Sequence, residues 1–164
     1  MNTSQIAHSI KHRENPNDEF MTPVNVAQML IAKVPLVAGD EVLDPAIGTG
    51  AFHDNYPAFV TKYQCDDFYI WDEPIDWLVT NPPYSHLEGW LIHSFELAQK
   101  GVAYLIGLHN ITPRRLEIAE KMGFGVTHIH LHKVCPWYGI QAFVIWEKGK
   151  PSILSYDRKV WGHN

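Results

Sequence analysis

The residues best equipped for chemistry sit together at Asn81-Pro82-Pro83-Tyr84. The asparagine offers an amide oxygen as acceptor. Two prolines fix the direction of the carbonyls between them, and the tyrosine adds a flat surface for stacking. A polar-Pro-Pro-aromatic tetrapeptide arises by chance in under about 1% of chains of this length, taking each proline at about 5%. Upstream lies Asp44-Pro45-Ala46-Ile47-Gly48-Thr49-Gly50, followed closely by Phe52, and before that Phe20-Met21-Thr22-Pro23. Gly48 and Gly50 allow a backbone turn to approach a bound molecule without Cβ clashes. Taken singly, these segments read as a proline-stiffened turn, a strand terminus with a glycine turn, and a helix start. Their order along the chain is the informative feature.

The elements that must position them follow from the apolar pattern. Thr22 as N-cap and Pro23 at the first helical position open a helix carrying Val26, Met29 and Leu30. Glu41 to Asp44 reads as a short buried strand ending at the glycine turn, and Asp76 to Asn81 as a second strand stopped by the prolines. Ser85 and Glu88 match a capping box for a helix continuing to Gly101. Val102 to Leu108 has the continuous apolar character of a buried strand. Thr112-Pro113 opens another helix ending near Gly123, and strands at Val126–Lys133 and Ala142–Trp146 close the pattern. Alternating strands and helices predict an α/β fold with a mainly parallel, helix-covered sheet and an antiparallel last strand.

Composition sets the bounds. A chain of 164 residues is one ordinary domain, and 46% hydrophobic with 19% charged residues suits a globular protein rather than a disordered one. Residues 1–19 read as a polar arm, 20–150 as the domain and 151–164 as a tail. The apolar runs are too short to span a bilayer, and the N-terminus carries no charged-then-apolar export signal. Two cysteines form neither a disulfide framework nor a metal pattern, so a cytoplasmic protein without a metal is expected. The formal charge of −5 means that any nucleic-acid contact must use a local patch.

The three segments together resemble the S-adenosylmethionine-dependent N6-adenine DNA methyltransferases, across roughly residues 20–147. Phe-x-Thr-Pro, Asp-Pro-x-x-Gly-x-Gly-x-Phe and Asn-Pro-Pro-Tyr appear here in that family's order. The resemblance implies a Rossmann-like class I methyltransferase fold, S-adenosylmethionine as cofactor and adenine in DNA as acceptor. An exocyclic purine amine is a poor nucleophile because its lone pair is delocalised. The Asn81 oxygen and the Pro82 carbonyl would accept its two hydrogens, favouring a localised lone pair, while Pro83 stiffens the turn and Tyr84 stacks on the extruded base. Methyl transfer is direct displacement, so alignment matters more than a strong base. On the cofactor side the resemblance implies Asp44, Pro45, Ala46, Gly48, Gly50 and Phe52 around the methionine part and ribose. Phe20, Thr22 and Pro23 would cover it from the other side.

One departure from that family is plain. Asn81 follows Asp44 by 37 positions, where full-length relatives hold two more helices and a strand. The expected acidic ribose ligand then falls within Lys62 to Phe68, with Asp66 the choice for the hydroxyls and Asp67-Phe68 nearer the adenine. The third strand or a flanking helix should be missing, giving a reduced fold. No room remains for a target-recognition domain, so a second copy or another protein would supply that role. Two further readings of the same site are methylation of an RNA base or protein glutamine, and a silent cofactor-binding subunit. His128, His130 and His132 alternate along a strand and share one face, which reads as solvated or facing nucleic acid rather than as a metal site. Trp137 and Tyr138 are candidates for base contact, and Arg114 and Arg115 for phosphate contact against a default solvated turn.

Overall fold

The computed structural model describes residues 21–133 and 139–158. The N-terminal arm, Phe20, Trp137 and Tyr138 lie outside the described residues. The strands are β1 (Glu41–Asp44), β2 (Thr61–Gln64), β3 (Ile75–Thr80), β4 (Ala98–Gly107), β5 (Phe124–His132) and β6 (Gln141–Lys148). They form one sheet in the order β2-β1-β3-β4-β6-β5. The first four pair in parallel, and β6 runs antiparallel to both β4 and β5. Among the described residues three helices cover the sheet, α1 (Val24–Ile31), α2 (Leu87–Leu97) and α3 (Pro113–Lys121).

Strand alternation sends successive residues to opposite faces. Leu43, Leu78, Val102 and Tyr104 pack under α2 and α3 through Leu87, Leu91, Phe95 and Leu116. Val42, Val79, Ala103 and Leu105 pack under α1 through Ala27, Leu30 and Ile31. Each buried Val, Leu, Ile or Phe side chain among these stabilises by about 1.5–3 kcal/mol. Central β4 is buried from Gly101 to Gly107, which explains its unbroken apolar run.

The shortened region is reduced as the spacing predicts. Between Gln64 and Ile75 the chain makes only a 3₁₀ turn, Phe68–Ile70, so β2 is an edge strand. Between β1 and β2 it makes only another, His53–Asn55. Among the described residues no helix is long and apolar enough to cross a membrane.

Three local expectations are corrected. Pro23, not Thr22, occupies the N-cap of α1, and its carbonyl accepts from the amides of Val26 and Ala27 at 3.0 Å each. The Thr22 hydroxyl is turned elsewhere, as described below. The capping box at α2 does not form, because His86 is the N-cap and Glu88 is instead gripped by Arg114 at 2.8–3.1 Å. That helix ends at Leu97, four residues before the glycine expected to stop it, and leads straight into β4. Gly101 lies inside β4, where a Cβ would stand 2.3 Å from Trp77 Cζ3 and 2.5 Å from the Trp146 carbonyl. Its role is to let an indole lie flat against the strand. By contrast α3 opens as expected, with the Thr112 hydroxyl accepting from the Arg115 amide, and its C-terminal turn closes at Gly123 with φ +87°.

Residues 151–158 dock on the domain rather than trailing from it. The Ile153 amide bonds the Val126 carbonyl at 2.8 Å, Tyr156 donates to Glu120 at 2.6 Å, and Arg158 pairs with Glu117.

Candidate active site

In a parallel sheet the carboxyl ends of the strands frame the natural crevice. Here β1 ends at Asp44, which is 1% exposed and lies beside the end of β3. Its Oδ1 accepts from the Thr80 hydroxyl at 2.5 Å and the Ala46 amide at 3.2 Å, and its Oδ2 accepts from the His53 amide at 3.2 Å. Burial holds this carboxyl above the usual carboxylate range, and the three donors pull it partly back. Asp44 therefore anchors both ends of the glycine loop to β3. Within that loop Gly48 and Gly50 have φ of +48° and +83°, a region costly for residues with a Cβ. Under the loop Tyr56 donates to the Val79 carbonyl at 2.5 Å, and burial, then the Asp44 charge, pushes its phenol far up.

At the end of β3 the half-buried Asn81 donates from Nδ2 to the buried Thr22 hydroxyl at 3.2 Å. This bond fixes the orientation of the amide and explains why Thr22 is not a helix cap. Pro82 is buried and Pro83 partly so. Tyr84 begins a 3₁₀ turn, and its hydroxyl donates to Oε1 of Gln141, a buried residue at the start of β6, at 3.0 Å.

After β2 come Cys65, Asp66 and Asp67. Burial, then the charges of Asp44, Asp67 and Asp66, push the Cys65 thiol up to about 11, so it stays protonated and is no nucleophile at neutral pH. Asp67 caps the next turn by accepting from the Tyr69 amide at 3.0 Å. Phe68 is 3% exposed, its ring 4.6 Å from Trp90 and 4.7 Å from His93 between centroids. His93 Nε2 stands 3.0 Å from the carbonyls of both Phe68 and Trp71. Two carbonyl partners require a donor, so Nε2 carries the proton and clasps this turn to α2.

A cavity of about 300 Å³ opens among these loop ends. Pro45, Ala46, Ile47 and Gly48 line it from β1, Cys65 and Asp66 from β2, Asn81, Pro82 and Pro83 from β3, with Met21 and Trp90 completing it. A neighbouring hollow of about 360 Å³ shares Cys65 and Asp66 and adds Asp67, Trp71 and Glu73. The structure thus gathers seven of the sequence-derived residues on one cavity, Pro45, Ala46, Gly48, Asp66, Asn81, Pro82 and Pro83. Asp44, Thr22 and Gly50 stand behind it as supports, and Pro23 opens α1. Phe52 is buried, its ring stacked on Phe143 at 6.4 Å, and Phe68 is part of the hydrophobic core. Sequence reasoning missed Met21, Ile47, Cys65 and Trp90 on the wall, and Thr80, Tyr56, Gln141 and His93 behind it. Met21 and Ile47 filled open positions of the motifs, whereas Trp90 reads from its helical spacing as plain core.

His128, His130 and His132 do share one face of β5, and the last two rings stack at 6.2 Å. Burial, then the Lys33 charge and the neighbouring imidazoles, lowers His130 below the usual histidine range. Among the described residues no cluster of three ligand-type side chains could hold a metal. Arg114 is paired with Glu88, and Arg115 Nη1 donates to the Asn110 carbonyl and Oδ1 at 2.9 Å each.

No protein-family model matches the sequence, and no curated protein matches it either. Solved structures do match the fold. A Pyrococcus horikoshii protein described as an RNA methyltransferase superposes with a TM-score of 0.63 at 16% identity, covering 90% of this chain and 99% of its own. A methyltransferase from Pyrococcus furiosus gives 0.56 at 15% identity, covering 88% and 94%. Magnesium protoporphyrin IX methyltransferase from Synechocystis, solved with bound S-adenosylmethionine, gives 0.55 at 13% identity, covering 90% and 85%. The fold is the Rossmann-like class I methyltransferase fold in reduced form.

Proposed function

We propose that this chain is an S-adenosylmethionine-dependent methyltransferase acting on the exocyclic N6 amine of adenine in DNA. The observation that carries the reading is the single cavity in which the Gly48 turn faces Asn81-Pro82-Pro83. The residues fit the cofactor. Gly48 keeps the loop free of a side chain at its left-handed position, Asp66 offers an exposed carboxylate for ribose hydroxyls, and Pro45, Ile47, Met21 and Trp90 give apolar walls. The cavity falls in the about 300–1,000 Å³ range of small-molecule sites. Bound there, S-adenosylmethionine supplies an electrophilic methyl group.

The chain's own task is to hold the amine by accepting hydrogen bonds from its two N–H groups while the nitrogen gains positive charge. As the N–C bond forms the S–C bond breaks, and the surplus proton leaves to solvent. Asn81 Oδ1 and the Pro82 carbonyl accept the two amine hydrogens, which turns the nitrogen lone pair out of conjugation. Thr22, by holding Nδ2, keeps the oxygen end of the amide for this role. Tyr84, braced by Gln141, gives the base a stacking face. Asp44 shapes the loop rather than touching the reacting atoms, since its oxygens serve Thr80, Ala46 and His53.

Incubation with cofactor and DNA, single- and double-stranded, followed by nucleoside mass spectrometry, tests the proposal. N6-methyladenine above a heat-killed control is expected, and its absence refutes it. A second reading, methylation of an RNA base, draws on the Pyrococcus horikoshii protein's described substrate class. Product in RNA with none in DNA would establish that reading instead.

A further inference from the structure

Beyond the cavity lies a separate hollow of about 300 Å³, bounded by Tyr69, Tyr84, Gly89 and Arg115 among others. It shares no lining residue with the cavity, yet Pro83 lines one and Tyr84 the other. The two spaces are therefore one residue apart along the chain. Tyr69 is an aromatic left 55% exposed, and it is not loose. Asp67 accepts its amide at 3.0 Å, its ring lies 5.8 Å from His93, and its hydroxyl reaches over α2, where a Cβ on Gly89 would stand 2.9 Å from the oxygen. On the same hollow Arg115 gives Nη1 to neutral partners, the Asn110 carbonyl and amide oxygen, while the lining carboxylate, Glu88, is hydrogen-bonded to Arg114. A fixed, half-exposed aromatic side chain sharing a hollow with a guanidinium is a pairing that can stack a base and meet a phosphate.

Resting on the reading of this chain as a DNA adenine methyltransferase, we infer that this hollow binds the nucleotide adjoining the target adenine in a single DNA strand. Its base stacks on Tyr69, and its phosphate lies near Arg115. Tyr84 would stand between the two nucleotides, so the strand turns around the Asn-Pro-Pro-Tyr loop. Specificity would then extend one position beyond the target.

The test measures methylation of short single-stranded oligonucleotides with one adenine, flanked either by normal nucleotides or by an abasic unit on one side. Wild-type protein, Tyr69→Ala and Tyr69→Phe are compared. An abasic neighbour on one side should raise the wild-type KM about fivefold or more with kcat little changed, consistent with one lost stacking contact. Tyr69→Ala should show the same rise on the intact strand and no further rise on the abasic one, and Tyr69→Phe should restore wild-type behaviour. A wild-type KM in Tyr69→Ala, or an abasic penalty equal in both proteins, overturns the inference while leaving adenine methylation intact. Methylation of RNA alone, or of no adenine by the wild type, overturns the inference together with the function on which it rests.

Discussion

Replacing Thr80 by valine removes one hydroxyl and leaves the outline of the side chain almost unchanged. Thr80 is wholly buried, and its hydroxyl lies 2.5 Å from a carboxylate that is itself 1% exposed. A hydrogen bond to a charged group contributes about 1.5–3 kcal/mol, and Asp44 would keep only the Ala46 and His53 amides. The cost should depend on pH in a defined sense. Because burial raises the Asp44 carboxyl in the folded protein, folding takes up a proton, and this group favours the fold most in acid. Its contribution declines as pH rises through the raised value. The Thr80 donor offsets part of that decline, and deleting it raises the carboxyl further. The variant should therefore lose most, about 1.5–3 kcal/mol, at pH values above the raised value, where the carboxyl is ionised, and less in acid below it, where it is protonated. Urea unfolding at two pH values on either side of it, with unchanged slope, measures this directly. A loss equal at the two pH values, or below about 0.5 kcal/mol at both, would refute the assignment of Thr80 as the donor that stabilises a buried charge.

Asn81→Ala should lower kcat by about 10²-fold or more with cofactor affinity nearly intact, checked by calorimetry beside single-turnover rates. His93→Ala removes the clasp on the Phe68 and Trp71 carbonyls and should weaken cofactor binding about tenfold while kcat at saturation changes little; equal affinity in titration would show that the turn holds itself. With a net charge of −5, the slope of log affinity against log salt for duplex DNA should be shallow, roughly −2 to −3, and single strands should be preferred over duplex. A slope steeper than about −6 would instead point to a second copy or partner supplying the DNA grip.

The sheet was largely legible because its central strands are buried on both faces and so carry unbroken apolar runs, as in Trp77–Val79 and Val102–Gly107. β2 left no such trace. It is four residues long at an edge, with three of them exposed, so nothing in Thr61–Gln64 needed to be apolar. The helix signals failed where a side chain had a distant partner. Thr22 bonds Asn81 across 59 positions, and Glu88 meets Arg114 across 26, so neither caps its own helix. Gly101 looked like a stop because the Trp77 ring that requires it lies in another strand. The cavity wall was readable where backbone freedom or a rare tetrapeptide marked it. It was hidden at Trp90, whose burial reads as packing until the loop above it is placed.

Helix α2 carries more of this molecule than its 11 residues suggest. Trp90 walls the cavity, Gly89 seats the Tyr69 hydroxyl, and His93 grips the turn that follows Asp66 and Asp67. Its N-terminus grows directly out of the Tyr84 turn. The proposed cofactor side and the proposed acceptor side are thus mounted on the same helix. Any displacement of that helix enters the binding free energies of both ligands, and thermodynamic linkage then makes the effect reciprocal. Whatever one ligand gains in affinity from the other's presence, the other gains equally, so order of addition could alter the rates of approach but never the affinity of the completed ternary complex.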